Sequence, residues 1–330
     1  MANLVDNLTE TKTMFDFKLT YKNQDCLEFL STIEEGSIDL VLTDPPYYRV
    51  VNDSWDNQWF TSNEYYSWCK QWIEELSRIC KYSASFWLFG YPQQLAHLLP
   101  VIIKNGWTFR QQIVIDKGIR SVAGRTSKNL KMYPTATESI YYFHYESRDI
   151  IRSYLQSERQ RLGLNGKQCN EILGKATTGG GTFACIASEK KPLEHRTYPT
   201  RIDWTKLQSV MNLPDYDDLV YKFNLQSGLT DVWTDINFYH KDKKIHSTQK
   251  PLSLMQRIIE TSSNKGDNVL DMFAGSGSTA VACKGLNRHF TGCEVDKKYY
   301  KDSLERINNS CVGFLTGTSD SENPLLSAII

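Results

Sequence analysis

Short apolar runs alternate along the first 150 residues with stretches in which apolar residues recur every three or four positions. The runs have the length of buried strands, and the periodic stretches have the spacing of amphipathic helices. The pattern predicts strands at 38–42, 85–89, 107–115 and 139–144, and helices at 64–79 and 94–105. Elements in this order are typical of an α/β fold, in which helices cover both faces of a doubly wound, mostly parallel sheet.

The same alternation returns near the C-terminal end of the chain. Residues 252–259 have helical spacing, and the apolar pair 269–270 is followed by a helix-like stretch from Ser278 and by a second apolar run at 289–293. Between these two regular parts, polar and basic residues mix with Tyr and Trp, and the regularity fades. The pattern therefore divides the chain into residues 1–150, an insertion at 151–235, a second regular part at 236–312, and a tail at 313–330 that we expect to be loosely ordered.

The composition excludes several classes of protein. A chain of 330 residues is long enough to bury a large core. It contains no apolar run of the length that spans a membrane, and residues 1–18 are too polar for a signal peptide. The eight cysteines include no Cys-x-x-Cys pair, so we expect neither a metal site nor a redox motif. We also expect a reduced, cytoplasmic setting.

The formal net charge of zero hides an uneven distribution. Residues 101–210 contain 18 Lys and Arg against 9 Asp and Glu, whereas the rest of the chain contains 20 against 29. The most basic stretch has no acidic residue and contains Lys117, Arg120, Arg125, Lys128 and Lys131. A basic segment on an acidic body predicts contact with the phosphates of duplex DNA, although any one of these side chains could simply be solvated.

The most informative tetrapeptide is Asp44-Pro45-Pro46-Tyr47, directly after the apolar run at 38–42. Two prolines stiffen the loop and remove two backbone donors, which leaves its carbonyl groups as acceptors. The carboxylate is another acceptor, and the tyrosine ring offers an aromatic face. Such a loop can hold a planar base that carries an exocyclic amino group. Taken alone, the tetrapeptide could also be a turn that ends a buried strand.

A glycine-rich turn follows the apolar pair at 269–270. Asp271 opens it, Gly275 and Gly277 allow a tight turn and the close approach of a ligand, and the helix that follows offers free N–H groups. Glu294, at the end of the next apolar run, can accept from both ribose hydroxyls of a nucleoside. The spacing also fits a nicotinamide-dinucleotide site. It does not fit a Walker phosphate loop, because no lysine precedes Ser278.

Together the motifs resemble the amino-group DNA methyltransferases, which modify adenine N6 or cytosine N4. A third segment, His246 to Pro251, precedes the helix at 252–259, where Thr248 is a candidate cap. The order of the three segments resembles the circularly permuted beta class of that family. The resemblance covers about residues 15–150 and 235–310 and implies a Rossmann-like methyltransferase fold with S-adenosylmethionine as cofactor. It makes 1–150 the half with the catalytic loop, 151–235 the target-recognition insertion, and 236–312 the cofactor-binding half.

The resemblance also assigns the site residues. It implies that the catalytic residues are Asp44, Pro45, Pro46 and Tyr47. It implies that the cofactor-binding residues are Asp25, Cys26, Asp271, Phe273, Ala274, Gly275, Ser276, Gly277, Glu294, Thr248 and Lys250. The family more often has Gly-Asp where this chain has Gln24-Asp25. Asp25 is also a candidate N-cap, and both roles can hold at once.

The implied reaction is methyl transfer to a base that has been flipped out of duplex DNA. Asp44 and the Pro45 carbonyl would each accept one hydrogen of the amino group, and Tyr47 would stack on the base. The opening aspartate favours adenine, with cytosine N4 as the alternative. A cognate restriction endonuclease and a homodimer are compatible with this interpretation. Two further alternatives are a DNA-binding subunit without catalysis and a nicotinamide-dependent oxidoreductase.

Overall fold

The computed structural model describes residues 16–50, 56–122, 131–177, 181–188, 190–238 and 249–311. Within these ranges, eight strands form a single sheet. The strands are β1 (Leu19–Lys22), β2 (Ile38–Thr43), β3 (Cys80–Gly90), β4 (Trp107–Asp116), β5 (Thr137–Tyr145), β6 (Val232–Trp233), β7 (Asn268–Asp271) and β8 (His289–Cys293). The predicted strands are all present, and β1 and β6 are additions that the apolar pattern did not indicate.

The spatial order of the strands is β1-β8-β7-β2-β3-β5-β4-β6. Only β5 runs antiparallel to its neighbours in this part of the structure, and the other adjacent pairs are parallel. The predicted α/β class with a mostly parallel sheet is thus confirmed. The C-terminal strands β7 and β8 lie between β1 and β2, so the two ends of the chain share the middle of the sheet, as a circularly permuted fold requires.

Eleven α-helices are found among the described residues. They are α1 (Cys26–Ser31), α2 (Ser62–Ile79), α3 (Pro92–Lys104), α4 (Arg148–Arg161), α5 (Gly166–Leu173), α6 (Gly181–Ala187), α7 (Arg201–Gln208), α8 (Tyr216–Leu219), α9 (Leu252–Ser262), α10 (Ser278–Gly285) and α11 (Lys297–Asn309). The predicted helices at 64–79 and 94–105 correspond to α2 and α3 within two residues. No helix among them is long and apolar enough to cross a membrane.

Helices cover both faces of the sheet. On one face α1, α2 and α3 bury Phe29, Trp72 and Leu98 against the strands. On the other face α9, α10 and α11 bury residues such as Ile258 and Ile307. Each fully buried large apolar side chain contributes about 1.5–3 kcal/mol of transfer free energy, so both layers hold the sheet firmly.

Helices α4 to α8 form a lobe that we call the helical lobe below. They bury their own apolar cluster, which includes Leu155, Leu173, Trp204 and Leu207. The sequence pattern is irregular after residue 151, but the structure forms helices there. The helices were missed because they are short, and because polar residues dominate the sequence of α4. The predicted tail at 313–330 lies outside the described residues.

Candidate active site at the centre of the sheet

A cavity of about 1140 Å³ lies at the carboxyl ends of the central strands β2 and β7. From β7 the chain continues to one side of the sheet, through β8, and from β2 it continues to the other side, through β3. In open α/β sheets, ligands bind at such a reversal point. The cavity is lined by fourteen of the predicted residues: Asp25, Cys26, Asp44, Pro45, Pro46, Tyr47, Lys117, Lys250, Asp271, Phe273, Ala274, Gly275, Ser276 and Glu294.

Asp271 links the two central strands. Its Oδ1 accepts hydrogen bonds from Thr43 Oγ1 at 3.1 Å and from the Phe273 N–H at 3.2 Å, and its Oδ2 accepts one from Thr279 Oγ1 at 2.6 Å. Burial raises the pKa of Asp271 to about 6. The residue therefore acts mainly as a buried anchor, which fixes the glycine-rich turn to the end of β2.

The glycine-rich turn is held by Glu294. Its Oε2 accepts from the Gly275 N–H and its Oε1 from the Asp296 N–H, both at 2.8 Å. Gly275 has φ of 50°, a conformation that favours glycine. Burial raises the pKa of Glu294. Since each carboxylate oxygen has two lone pairs, Glu294 can still accept from a ligand at the cavity wall.

Gly277 has a different part in the site from its neighbours. It is absent from the cavity wall, has φ of 72° and is the residue from which α10 starts. A Cβ atom there would lie 3.1 Å from Ser303 Cβ and 3.3 Å from Ile307 Cδ1. Gly277 thus serves the turn and its packing against α11, and its predicted contact with the cofactor stays a prediction.

Asp25 caps the first helix and also lines the cavity. Its Oδ1 accepts from the Leu27 N–H at 2.8 Å, and its backbone carbonyl accepts from the Phe29 N–H. The capping role is thus confirmed. Asp25 and Cys26 lie on the same cavity wall as Glu294, so residues from both ends of the chain face one space.

The loop Asp44-Pro45-Pro46-Tyr47 is fixed by contacts to three elements. The Tyr65 hydroxyl donates to the Pro46 carbonyl at 2.7 Å, and Gln94 donates to the Tyr47 carbonyl. The Asp44 carboxylate accepts from the Tyr47 hydroxyl through Oδ1 and from Lys250 Nζ through Oδ2. Burial and the nearby carboxylates raise the pKa of Tyr47, so its hydroxyl keeps its proton and donates.

Glu138, at the start of β5, is a site residue that sequence reasoning missed. It accepts from the Tyr47 hydroxyl at 3.2 Å and from Lys117 Nζ at 3.0 Å, and it lies 3.5 Å from Lys250 Nζ. Burial opposes its ionisation, but the two ammonium groups outweigh this effect and lower the pKa of Glu138. Because β5 is antiparallel, its first residues lie at the carboxyl edge of the parallel strands, beside Asp44.

Two of the predicted lysines are ion-paired at the cavity wall, and their predicted roles stay predictions. Lys117 was grouped with the DNA-binding residues, but its ammonium is paired with Glu138 inside the cavity. Lys250 is among the residues predicted to bind the cofactor, and its ammonium is paired with Asp44 and lies near Glu138. Its backbone carbonyl accepts from Ser278 Oγ at 3.0 Å, which ties this segment to the start of α10.

The comparisons with known proteins agree with this geometry. The family model described as DNA methylase matches residues 38–305. The type II methyltransferase M.HinfI of Haemophilus influenzae is 25% identical over 307 residues, covering 88% of this chain and 69% of that protein. The DNA adenine methyltransferase YhdJ of Escherichia coli is 24% identical over 286 residues, covering 86% of this chain and 81% of that protein.

The chain belongs to the DNA methylase family. Its fold agrees with solved structures. The complex of M1.HpyAVI with SAM has a TM-score of 0.51 at 18% identity and covers 88% of this chain and 99% of that one. The complex of TTHA0409 of Thermus thermophilus with S-adenosyl-L-methionine has a TM-score of 0.51 at 17% identity and covers 88% and 93%. As a member of this family the protein uses S-adenosylmethionine as methyl donor, which decides against the nicotinamide alternative.

The remaining predicted residues of the DNA methylase lie outside the cavity wall or outside the described residues. Arg120 and Lys131 are exposed at the same sheet edge, after β4 and before β5 respectively. Thr248, Arg125 and Lys128 lie outside the residues that the structure describes. The N-cap of α9 is Pro251, so the predicted capping of this helix by Thr248 is wrong.

Proposed function

We propose that the protein transfers a methyl group from S-adenosylmethionine to the N6 amino group of an adenine that has left the DNA duplex. The observation that carries the proposal is that Asp44 and the Gly275 turn line one cavity, joined by the hydrogen bond between Thr43 and Asp271. The volume, about 1140 Å³, exceeds the space that one small ligand ordinarily fills and suits a cofactor beside a base.

The cofactor side of the cavity is formed by the glycine-rich turn and the residues beside it. Phe273, Ala274, Gly275 and Ser276 would border the ligand, and Glu294 would accept from the ribose hydroxyls. Asp25 and Cys26 would hold the adenine ring of the cofactor. S-adenosylmethionine supplies, when bound, a methyl group activated on a sulfonium sulfur.

The base side of the cavity is formed by the Asp44 loop. An aromatic amine is a weak nucleophile because its nitrogen lone pair is shared with the ring. Asp44 and the Pro45 carbonyl would accept the two N–H groups, which localises the lone pair on nitrogen. The protein mainly supplies positioning and electrostatics for this step. Tyr47 would bring its ring against the base, with its hydroxyl held by Asp44 and Glu138.

The DNA side of the protein faces out from the mouth of this cavity. A base inside a duplex is out of reach, so it must be flipped into the cavity. Arg120 and Lys131 are exposed and suited to phosphate contact, and each is adjacent in sequence to a residue of the cavity lining. Tyr133, which is 95% exposed, is part of that lining. We assign target recognition to residues 151–235, which include most of the helical lobe.

Adenine is the favoured base because the motif begins with aspartate and because YhdJ, a relative over most of the chain, is named a DNA adenine methyltransferase. Cytosine N4 is the alternative, since both bases present the same amino geometry. The relatives named type II methyltransferases favour a role beside a restriction endonuclease. A homodimer stays a prediction that light scattering can test.

The experiment is methyl transfer from labelled S-adenosylmethionine to unmethylated DNA, followed by mass spectrometry of the nucleosides. N6-methyladenosine as the labelled product supports the proposal. N4-methylcytosine would replace the base assignment and keep the reaction class. Absence of label in DNA, with the protein folded and binding S-adenosylmethionine, would support the alternative of a subunit without catalysis.

A further inference from the structure

Asp44 and Glu138 share two hydrogen-bond donors in this structure. The Tyr47 hydroxyl donates to Asp44 and lies 3.2 Å from Glu138, and the Lys250 ammonium is paired with Asp44 and lies 3.5 Å from Glu138. The Lys250 ammonium also contacts the Phe89 ring, with its nitrogen 5.0 Å from the ring centre. One ammonium group therefore sits between two carboxylates, and a small displacement would change its main partner.

The pairing of Lys250 with Asp44 does not suit the transfer of a methyl group. An ammonium on Oδ2 of Asp44 draws electron density from the oxygen and weakens its acceptance of the N–H group of the base. It also places a positive charge beside an amine nitrogen that becomes positive as it gains the methyl group. Two positive charges bound to neighbouring atoms of the same site repel strongly where little water screens them. Productive geometry thus requires the ammonium to leave Asp44.

The charge and position of Glu138 suit it to receive the ammonium of Lys250. Its side chain is 12% exposed, and the ammonium groups of Lys250, at 3.5 Å, and Lys117, at 3.0 Å, both favour its ionised form. The distance from Lys250 Nζ to Glu138 Oε1 is already within ion-pair range, so rotation of the lysine side chain suffices for the transfer. A buried lysine without a partner would be costly, and Glu138 supplies that partner at every stage.

We propose that Glu138 is a positioning residue, which takes the Lys250 ammonium from Asp44 when the target base enters the cavity. The inference rests on the proposed function, since it concerns the state of Asp44 during transfer to an amino group. It adds Glu138 to the site and places the Lys250 ammonium between the two carboxylates of the base side.

The test is a double-mutant cycle with Glu138→Gln and Lys250→Met, measured as single-turnover methyl transfer at pH 8 with saturating DNA and S-adenosylmethionine. Glu138→Gln keeps the shape of the side chain but cannot hold the ammonium by charge. We expect its rate to fall roughly 10- to 100-fold, the scale on which misplacement of a catalytic group acts. The dissociation constant of S-adenosylmethionine, measured by calorimetry, should stay within about 2-fold, because positioning of Asp44 does not enter cofactor binding.

In the Lys250→Met background there is no ammonium to move. The rate of Lys250→Met therefore serves as the reference in this background, and adding Glu138→Gln should change that rate less than about 2-fold, a non-additivity typical of groups that act as a unit. Glu146→Gln is the matched control. Glu146 is another ion-paired acid associated with β5, bound to Arg148 at 2.7 Å and outside the cavity wall, and its variant should keep the wild-type rate.

Several results would overturn the inference. A Glu138→Gln rate within about 2-fold of wild type excludes it, as do additive effects of the two substitutions. Complete loss of transfer in a folded Lys250→Met protein that binds S-adenosylmethionine also excludes it. If Lys250→Met does not fold, the comparison of Glu138→Gln with Glu146→Gln decides, together with the cofactor affinity of both. If the wild-type protein itself transfers no methyl group to DNA, the proposed function fails. That result is distinguishable from failure of the inference, which is measured on variants of an active wild type.

Discussion

Thr43 Oγ1 donates a hydrogen bond to Asp271 Oδ1 at 3.1 Å, although the two residues are 228 positions apart in the chain. Thr43 is the last residue of β2 and Asp271 the last residue of β7, and these strands are paired in parallel at the centre of the sheet. The bond therefore fixes the position of the Asp44 loop relative to the glycine-rich turn. The distance between the acceptor for the base and the cofactor site is set by this one pairing of strands.

Substitution of Glu294 by Gln should weaken the binding of S-adenosylmethionine. Loss of the negative charge weakens the hydrogen bonds to the Gly275 and Asp296 N–H groups and those to the ribose hydroxyls. Hydrogen bonds to charged groups are worth about 1.5–3 kcal/mol, so we expect the dissociation constant to rise about 10-fold or more by calorimetry. The exposed Glu305 on α11 provides the control Glu305→Gln. Unchanged affinity in Glu294→Gln would remove Glu294 from the cofactor site.

Alanine at Gly277 should destabilise the fold more than alanine at Gly36. Both glycines have positive φ, 72° and 60°, so both substitutions carry the backbone cost of about 1–2 kcal/mol. Only at Gly277 would the new Cβ meet Ser303 and Ile307, and overpacking adds about 1–3 kcal/mol. Urea unfolding measures the two free energies. Equal losses would show that the contact with α11 relaxes at no cost.

Stability should depend on pH through His144. The side chain is buried, stacks on Tyr221 with ring centres 4.0 Å apart, and donates to the Tyr145 carbonyl through Nδ1. Burial lowers the pKa of His144 to about 4 from a usual 6.5. Between these values the unfolded chain takes up a proton that the folded protein refuses, so the free energy of unfolding falls as the pH drops from 6.5 towards 4.

The measurement is urea unfolding of wild type and His144→Gln at pH 7.5 and pH 5. The advantage of wild type over the variant should shrink by about 2 kcal/mol at pH 5, which corresponds to about 1.5 pKa units. Taking the difference between the two proteins removes the opposite effect of Asp271, whose raised pKa favours the folded state as the pH falls through 6. A difference that is the same at both pH values would contradict a neutral buried His144.

Replacing Arg120 and Lys131 by Ala should reduce non-specific affinity for DNA. If each contacts one phosphate, the slope of log affinity against log salt concentration should fall by about 2 for the double variant. Lys104 and Lys265 are exposed at the opposite edge of the sheet, before β4 and β7. The double variant of these lysines changes the net charge equally and should leave the slope unchanged. Similar slopes for both double variants would place the DNA elsewhere.

The sequence predicts those parts of the site that local chemistry determines. The proline pair at 45–46, the glycines of the turn at 275–277 and the apolar runs before them all carry information within a few residues. The residues around Glu138 carry no such information, since an acidic residue before an apolar run is common in strands that have no site. Glu138 becomes part of the site only because β5 runs antiparallel and brings its first residues to the edge where Asp44 lies. The direction of a strand within a sheet is set by the tertiary structure, so it cannot be predicted from neighbouring residues.

The pairing of Lys250 with Asp44 is similarly beyond the sequence, since the two residues are 206 positions apart. The helical lobe was missed for another reason. Helices α5 to α8 have eight residues or fewer, and the apolar residues of the lobe, such as Leu155 and Trp204, pack on each other rather than on the sheet. Periodicity over one or two turns is too weak a signal to separate such helices from loops.

The proposed reaction requires Asp44 to accept from the amino group of the target base. Single-turnover methyl transfer to unmethylated DNA by Asp44→Ala, with saturating S-adenosylmethionine and DNA, tests this requirement. We predict a rate lower by about 100-fold or more, as for the loss of one positioned polar group, with cofactor affinity nearly unchanged. Asp116→Asn, at the exposed end of β4, should behave as wild type. A transfer rate close to wild type in folded Asp44→Ala would contradict the claim.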